Sequence, residues 1–182
     1  MTDTTIRSLN PIQLTFASST GDSTRLGTRI ELSRQLDLVA ADDEFGHVSL
    51  IVFELERLAA LADIHGERWH GEVLSAVAER LERRSRAADT AVHLGGGIFV
   101  LLCPNTDEGA AVSAATRLVE TMRTPLTIGD TTVQFGISVG VAHRDGRIDD
   151  ARSLLSDAEG ALCVAKSAGR GHLGLAPDRV IV

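Results

Sequence analysis

The sequence of 182 residues has no tyrosine, one tryptophan and only 3% aromatic residues. Proteins that bind single-stranded nucleic acid commonly stack bases on aromatic side chains, so this composition argues against that function. Acidic residues also outnumber basic ones, 25 to 18, which gives a formal net charge of −7. Because this charge repels phosphate backbones and anionic membrane surfaces, we expect neither nucleic acid nor a membrane as a partner.

Cysteines are few and long apolar runs are absent. Cys103 and Cys163 stand in apolar surroundings, without a second cysteine or a histidine at metal-ligand spacing. We therefore expect two buried, reduced thiols and no zinc site. No segment approaches the run of about 18 apolar residues that spans a membrane, and the N-terminus lacks a signal-like apolar stretch. These absences favour a cytoplasmic protein.

Aliphatic residues supply the core instead, since 43% of the chain is hydrophobic and 24% is charged. This balance is typical of a folded domain, and the length is sufficient to bury a core without disulfides. Residues 1–20 are polar and rich in serine and threonine, so we expect a flexible N-terminal arm followed by one domain over residues 21–182.

Apolar periodicity and turn residues predict alternating helices and strands. The predicted helices cover residues 22–39, 57–63, 72–86, 108–122 and 151–167. The predicted strands cover residues 47–53, 91–94, 98–102, 131–143 and, near the C-terminus, part of 173–182. This order favours one α/β domain, an α+β sandwich with helices packed on a central sheet.

Five segments, in order and at compatible spacing, carry a recognisable signature. They are STRLGTR at 23–29, FELERL at 53–58, AVHLGGGIFVLL at 91–102, FGISVGVA at 135–142 and ALCVAKSAGRG at 161–171. Together they resemble the GGDEF domains of diguanylate cyclases, with GGGIF in place of GGDEF. The resemblance implies a palm-like, ferredoxin-related fold whose central antiparallel sheet is flanked by helices. It also implies a family reaction in which two domains, each holding GTP, form cyclic di-GMP.

The carboxylates that this reaction requires are mostly missing. Phosphoryl transfer uses magnesium held by oxygen ligands beside the triphosphate. The resemblance places Gly97 and Ile98 at the two acidic signature positions, and neither side chain binds metal. Glu54 stands at the first aspartate of the strand-end motif, where it is more simply a solvated or ion-paired charge. We therefore expect no metal, no cofactor and no cyclase activity.

Nucleotide recognition is reduced as well. Ala59 stands where the family has a phosphate-contacting lysine, and Ala62 and Gly71 stand where it has guanine-binding residues. Two cations that match the family's triphosphate contacts persist, Lys166 and Arg170. A pair of cations at a helix end is equally explained by the helix dipole.

A second site survives in the sequence Arg86-Ala87-Ala88-Asp89. The resemblance identifies it with the RxxD motif that binds the product, cyclic di-GMP, five residues before the signature. An arginine can donate two hydrogen bonds to guanine O6 and N7, and a carboxylate can accept from the opposite edge of the base. Arg117 matches another arginine that the family recruits from the following helix. These three residues are the predicted cyclic di-GMP site.

Three functions follow from these observations. The first is an inactive GGDEF domain that binds cyclic di-GMP and acts in trans on a separate effector or sensor protein, with dimerisation possible on binding. The second is a pseudoenzyme that binds no nucleotide and serves as a dimerisation or docking module, in which case the charged residues around Arg86 are a solvated surface. The third, residual diguanylate cyclase or nucleotide hydrolase chemistry through Glu54 and Glu56, lacks the metal ligands it needs.

Overall fold

The computed structural model of the chain describes residues 24–41, 46–145, 151–168 and 172–176. The helices of this described part are α1 (Arg29–Ala41), α2 (Leu58–His65), α3 (Glu67–Glu82), α4 (Glu108–Met122) and α5 (Ala151–Ala168). Its strands are β1 (His47–Leu55), β2 (Thr90–Gly95), β3 (Ile98–Pro104), β4 (Leu126–Ile128), β5 (Thr131–Val133), β6 (Ile137–Asp145) and β7 (Leu173–Leu175).

The main sheet has five strands in the order β2-β3-β1-β6-β7. β1 lies at its centre and pairs antiparallel with both β3 and β6, whereas β7 pairs parallel to β6. The apolar sequence of β1 explains this position, because a strand with buried side chains on both faces must be covered on both faces. Six consecutive residues of β1 are indeed buried, starting at Val48.

Helices cover both faces of this sheet. On one face, Ile51 and Phe53 of β1 join buried residues of α3 and α4 in one apolar cluster. On the other face, Val48 and Leu50 join buried residues of α1 and α5 in a second cluster. This alternation follows from the two-residue period of a strand. The arrangement confirms the predicted α/β sandwich around a mostly antiparallel central sheet.

The boundaries of several elements differ from the sequence prediction. The first helix begins at Arg29, because Gly27 is held in an extended bridge by backbone hydrogen bonds with Ala91 and His93 of β2. The predicted strand over 131–143 is two strands, and the first folds back on β4 around the two-residue turn Gly129-Asp130. The predicted helix over 72–86 covers Glu67–Glu82 instead. The predicted arm, residues 1–20, and residues 177–182 lie outside the described residues.

The two cysteines do not share the environment that the sequence predicts. Cys103 is buried on β3, but Cys163 is exposed on α5, so the prediction of two buried thiols is wrong for Cys163. In the described part of the chain, no helix has the length and apolar character needed to cross a lipid bilayer.

Close packing of α5 on the sheet depends on glycine, and this contact makes a testable prediction. A Cβ added at Gly140 on β6 would lie 2.2 Å from the Ala158 carbonyl oxygen and 2.3 Å from the Leu162 nitrogen. Because both atoms belong to the helix backbone, we expect Gly140→Ala to lower the free energy of unfolding by about 3 kcal/mol or more, the upper end for an overpacked core. Chemical denaturation followed by circular dichroism measures this change.

The matched control is Gly160→Ala, on the helix that packs against Gly140. An added Cβ at Gly160 has no atom within 4 Å, so the substitution should stabilise the helix by up to about 1 kcal/mol. Equal stability of the two variants would contradict the packing described for α5.

Candidate functional site

The turn between β2 and β3 holds the glycines of the signature at one end of the sheet. Gly95 and Gly96 have φ angles of 107° and 56°, values that favour glycine. The carbonyl oxygen of Gly97 accepts a hydrogen bond of 2.9 Å from the Leu55 nitrogen. A Cβ at Gly97 would lie only 3.0 Å from the Leu55 oxygen, so this turn is packed tightly against β1.

Glu54 lies beside this turn, at the end of β1. In the sheet register its neighbours are Ile98 on β3 and Ser138 on β6. Its Oε2 accepts a hydrogen bond of 2.7 Å from Lys166 Nζ, and the two side chains are 25% and 47% exposed. Glu54 is therefore an ion-paired residue at the strand end. Its partner, Lys166, is one of the two cations that match the family's triphosphate contacts.

Glu56, the next carboxylate along this segment, is buried. Its Oε1 accepts a hydrogen bond of 2.6 Å from Ser138 Oγ, and its backbone nitrogen donates to the Gly136 carbonyl oxygen at 2.9 Å. The side chain thus ties the end of β1 to β6. Among the residues that the structure describes, no group of three histidine, cysteine, aspartate or glutamate side chains converges at this end of the sheet.

The positions expected to recognise GTP lie on the helices after β1. Ala59 and Ala62 are on α2, and Gly71 is on α3. None carries a side chain that donates or accepts a hydrogen bond. Arg170 lies outside the described residues.

Arg86, Asp89 and Arg117 line a single cavity of about 560 Å³. Its walls come from the end of α3, the turn that precedes β2, the buried strand β3 and the outer face of α4. The structure thus brings together the three residues predicted for the cyclic di-GMP site. That they bind this ligand stays a prediction. The volume lies within the roughly 300–1,000 Å³ of small-molecule sites.

Local hydrogen bonds shape the RxxD motif into a closed turn. The Asp89 carboxylate accepts a bond of 2.7 Å from the Arg86 backbone nitrogen, and the Asp89 nitrogen donates to the Arg86 carbonyl oxygen at 3.0 Å. The sequence predicts a helix that extends to Arg86, but α3 ends at Glu82 and the motif follows it. The Arg86 side chain is exposed at this turn.

Two ionisable residues that line the cavity, Asp89 and Cys103, are destabilised by burial when they carry a negative charge. Burial raises the pKa of Asp89, and the backbone hydrogen bond and positive charge of Arg86 only partly offset it. Burial together with the neighbouring Asp89 carboxylate also raises the pKa of the Cys103 thiol. Perturbed ionisable groups in a cleft are typical of binding sites, although structural networks also produce them.

Arginine dominates the charge around this cavity. Four arginines line it against two carboxylates, in a chain whose net charge is −7. The charged lining residues are Arg83, Arg84, Arg86, Arg117, Asp89 and Glu120. Arg83 and Arg84 were not among the predicted site residues, because a basic run beside acidic residues is typical of an ordinary solvated helix end.

Comparisons with known proteins agree on one family. The family profile described as "Diguanylate cyclase, GGDEF domain" matches residues 20–172. The bifunctional diguanylate cyclase/cyclic di-GMP phosphodiesterase MucR of Pseudomonas aeruginosa is 30% identical over 149 residues, which cover 81% of this chain and 22% of MucR. The chain therefore spans about a fifth of the length of this relative.

Solved structures share the fold. A form of TpbB (YfiN) from Pseudomonas aeruginosa that comprises only the GGDEF domain is similar with a TM-score of 0.78 and 25% identity, over 86% of this chain and 93% of that one. The GGDEF domain of DgcB from Caulobacter crescentus, solved in complex with c-di-GMP, is similar with a TM-score of 0.78 and 22% identity, over 87% of this chain and 96% of that one.

The half-buried carboxylate of Asp89 predicts a specific pH dependence of stability. Its raised pKa means that the folded state holds a proton more tightly than the unfolded state, so ionisation destabilises the fold as pH rises through that pKa. Asp89→Asn keeps an oxygen that accepts the Arg86 hydrogen bond and removes the charge. The variant should therefore be more stable than the parent at pH 7, and this advantage should shrink as pH falls.

Denaturation curves at several pH values between neutral and mildly acidic measure this effect. Asp63→Asn on α2, where the side chain is exposed, is the control and should not reproduce this gain in stability. If Asp89→Asn is less stable than the parent at pH 7, the carboxylate contributes more as a turn-forming group than its burial costs.

Proposed function

The chain belongs to the GGDEF domain family, and we propose that it is a catalytically inactive member that serves as a cyclic di-GMP receptor. The ligand would bind in the cavity lined by Arg86, Asp89 and Arg117. A separate effector or sensor protein would respond to its occupancy. The observation that carries the proposal is the convergence of these three residues, from two separate segments, on one cavity of suitable size.

The side chains at the signature end support the absence of cyclase chemistry. A magnesium ion prefers near-octahedral coordination by oxygen. At this end Glu54 is paired with Lys166, Glu56 is buried against Ser138, and the signature positions hold Gly97 and Ile98. These residues do not fit a magnesium ion, and the alanines on α2 cannot contact a base or a phosphate.

The chemistry of the cavity suits guanine. Arg86 is exposed and lines the cavity, and its guanidinium can donate two parallel hydrogen bonds to O6 and N7. The Asp89 carboxylate accepts hydrogen bonds from the Arg86 backbone nitrogen and from the Cys103 thiol, which leaves two of its roughly four acceptor positions. Asp89 can therefore still accept from the N1 and amino hydrogens of a guanine.

The charge of the cavity suits the rest of the ligand. Cyclic di-GMP carries two phosphodiester groups, each with one negative charge. The four arginines around the cavity exceed its two carboxylates, so they favour an anion on an otherwise acidic protein. Arg117 lines the cavity from α4, whereas Arg86 and Asp89 line it from the RxxD turn. The DgcB domain solved with c-di-GMP shows that this fold can carry the ligand.

Binding of cyclic di-GMP is the first test of the proposal. We expect saturable binding by calorimetry, and we expect Arg86→Ala to weaken it about tenfold to a hundredfold, since one bidentate base contact is worth about 1–3 kcal/mol. Asp89→Asn should weaken binding to a similar extent, because its amide hydrogens would face the donor edge of guanine while the turn stays closed. Arg117→Ala should weaken binding as well.

The control is Arg68→Ala, which removes an exposed arginine on α3 that does not line the cavity. Its affinity should equal that of the parent. The mass of the protein in solution with and without ligand then tells whether binding promotes a dimer. If the parent shows no heat of binding and no change of mass at high ligand concentration, the receptor function is wrong and a docking module without ligand is the better account.

A second prediction concerns catalysis. Incubation with GTP and either magnesium or manganese, followed by chromatography, should yield no cyclic di-GMP, because Gly97 and Ile98 offer no metal ligand. Calorimetry should show weak GTP binding or none, since Ala59, Ala62 and Gly71 lack the contacting groups. Cyclic di-GMP formed in proportion to protein concentration would refute the inactivity. Tight GTP binding without product would indicate that the nucleotide site binds GTP for a purpose other than catalysis.

A further inference from the structure

We propose that His47, His143 and Asp145 form a binding site for a divalent transition-metal ion, with zinc as the best match. The site lies at the opposite end of β1 and β6 from the glycine turn. One nitrogen from each ring and one carboxylate oxygen lie within 4.8 Å of one another. The proposal does not rest on ligand binding in the cyclic di-GMP cavity or on any nucleotide chemistry.

The register of the sheet places these side chains on one face. His47 on β1 is the cross-strand partner of Asp145 on β6, and Ser49 is the partner of His143. Residues two apart on a strand point to the same face, and cross-strand partners share that face. The four side chains therefore form a compact square that requires no loop to assemble it.

Hydrogen bonds orient His143 for a metal ion. Ser49 Oγ donates to the Thr106 carbonyl oxygen at 2.7 Å, so its only hydrogen is used. The contact of 3.0 Å between Ser49 Oγ and His143 Nδ1 therefore requires that Nδ1 carry the proton and donate it. This leaves Nε2 as the nitrogen that faces Asp145. Metal-binding histidines are oriented in this way, by a hydrogen bond from the ring nitrogen that does not bind the metal.

The Asp145 carboxylate now occupies the position between the two rings. Its Oδ1 lies at hydrogen-bond distance from both rings, 2.7 Å from His47 Nδ1 and 2.8 Å from His143 Nε2. Around zinc, with bonds of about 2.0–2.1 Å, neighbouring ligand atoms are about 3.3 Å apart. A metal ion would displace the hydrogen-bonding protons of these contacts, which leave to solvent, and the exposed Asp145 and His47 side chains would shift to admit it.

The exposure of Asp145 and His47 permits this movement and leaves a metal ion accessible to water. The Asp145 side chain is 76% exposed and that of His47 is 50% exposed, whereas His143 is only 8% exposed. The buried histidine gives a fixed anchor, and the two exposed ligands can adjust. Two imidazoles and one carboxylate suit zinc and its neighbours in the first transition series, whereas magnesium and calcium prefer oxygen ligands alone. Solvent would supply the remaining ligand.

Zinc titration of the tag-free full chain tests the site. All proteins in the experiment carry Cys163→Ser, because the exposed thiol on α5 is itself a zinc ligand. We expect one zinc ion per chain by calorimetry, an increase in thermal stability on binding, and no effect of magnesium at the same concentration. Cobalt(II), used as a spectroscopic probe, should show the visible absorption of a four-coordinate site with nitrogen and oxygen ligands.

Substitutions at the exposed ligands avoid disturbing the core. His47→Ala and Asp145→Asn should each weaken zinc binding by more than the ~10- to 100-fold typical of losing an orienting hydrogen bond, and Ser49→Ala should weaken it about tenfold. His65→Ala removes a histidine from α2, outside the cluster, and should change nothing. Absence of zinc binding by the parent, or equal affinity of the parent, His47→Ala and Asp145→Asn, would overturn the proposal.

Discussion

The pairing of β1 with β3 on one side and β6 on the other is the constraint on which both ends of this molecule depend. Because β1 is buried on both faces, its register cannot slip by one residue without turning apolar side chains away from their helices. That fixed register puts Glu54 between Ile98 and Ser138 at one end of the sheet. At the other end it puts Ser49 between Cys103 and His143.

The glycine turn shows that the fold does not depend on acidic side chains at the signature positions, which here hold Gly97 and Ile98. Its geometry depends on two glycines with positive φ, Gly95 and Gly96, and on the close approach of Gly97 to Leu55. None of these requirements involves a carboxylate at the following positions. The Glu54–Lys166 ion pair also brings two opposite charges together at the strand end. The glycines of the signature are therefore sufficient for the geometry of the turn.

Most of the fold follows from local patterns in the sequence, and the exceptions have a physical cause. The span of α4 agrees with its prediction, since the apolar period is regular and Asp107 caps its first turn. The strand predicted over residues 131–143 is interrupted instead, because Thr131–Val133 pairs with the short β4, a tertiary contact that apolar pattern alone does not reveal. Arg86 lies beyond its expected helix because α3 ends at Glu82.

The sites differ in how far the sequence could predict them. Arg86 and Asp89 are three residues apart, so a local motif was sufficient to select them, and only the position of Arg117 depended on the fold. His47 and Asp145 are 98 residues apart, so no local motif contains all the proposed ligands. A signal does exist in the alternation His-x-Ser on β1 and His-x-Asp on β6, but it has meaning only when the two strands are known to be antiparallel partners.

The connection between β3 and α4 links the two regions physically. Thr106 lines the arginine-rich cavity, and its carbonyl oxygen accepts a buried hydrogen bond from the Ser49 hydroxyl. The same hydroxyl contacts His143 Nδ1 and orients that ring. The next residue, Asp107, caps the helix that carries Arg117. The same strand register that assembles the histidine cluster therefore also holds one wall of the cavity in place. A single buried hydroxyl, Ser49, joins the two regions without contributing a side chain to the cavity.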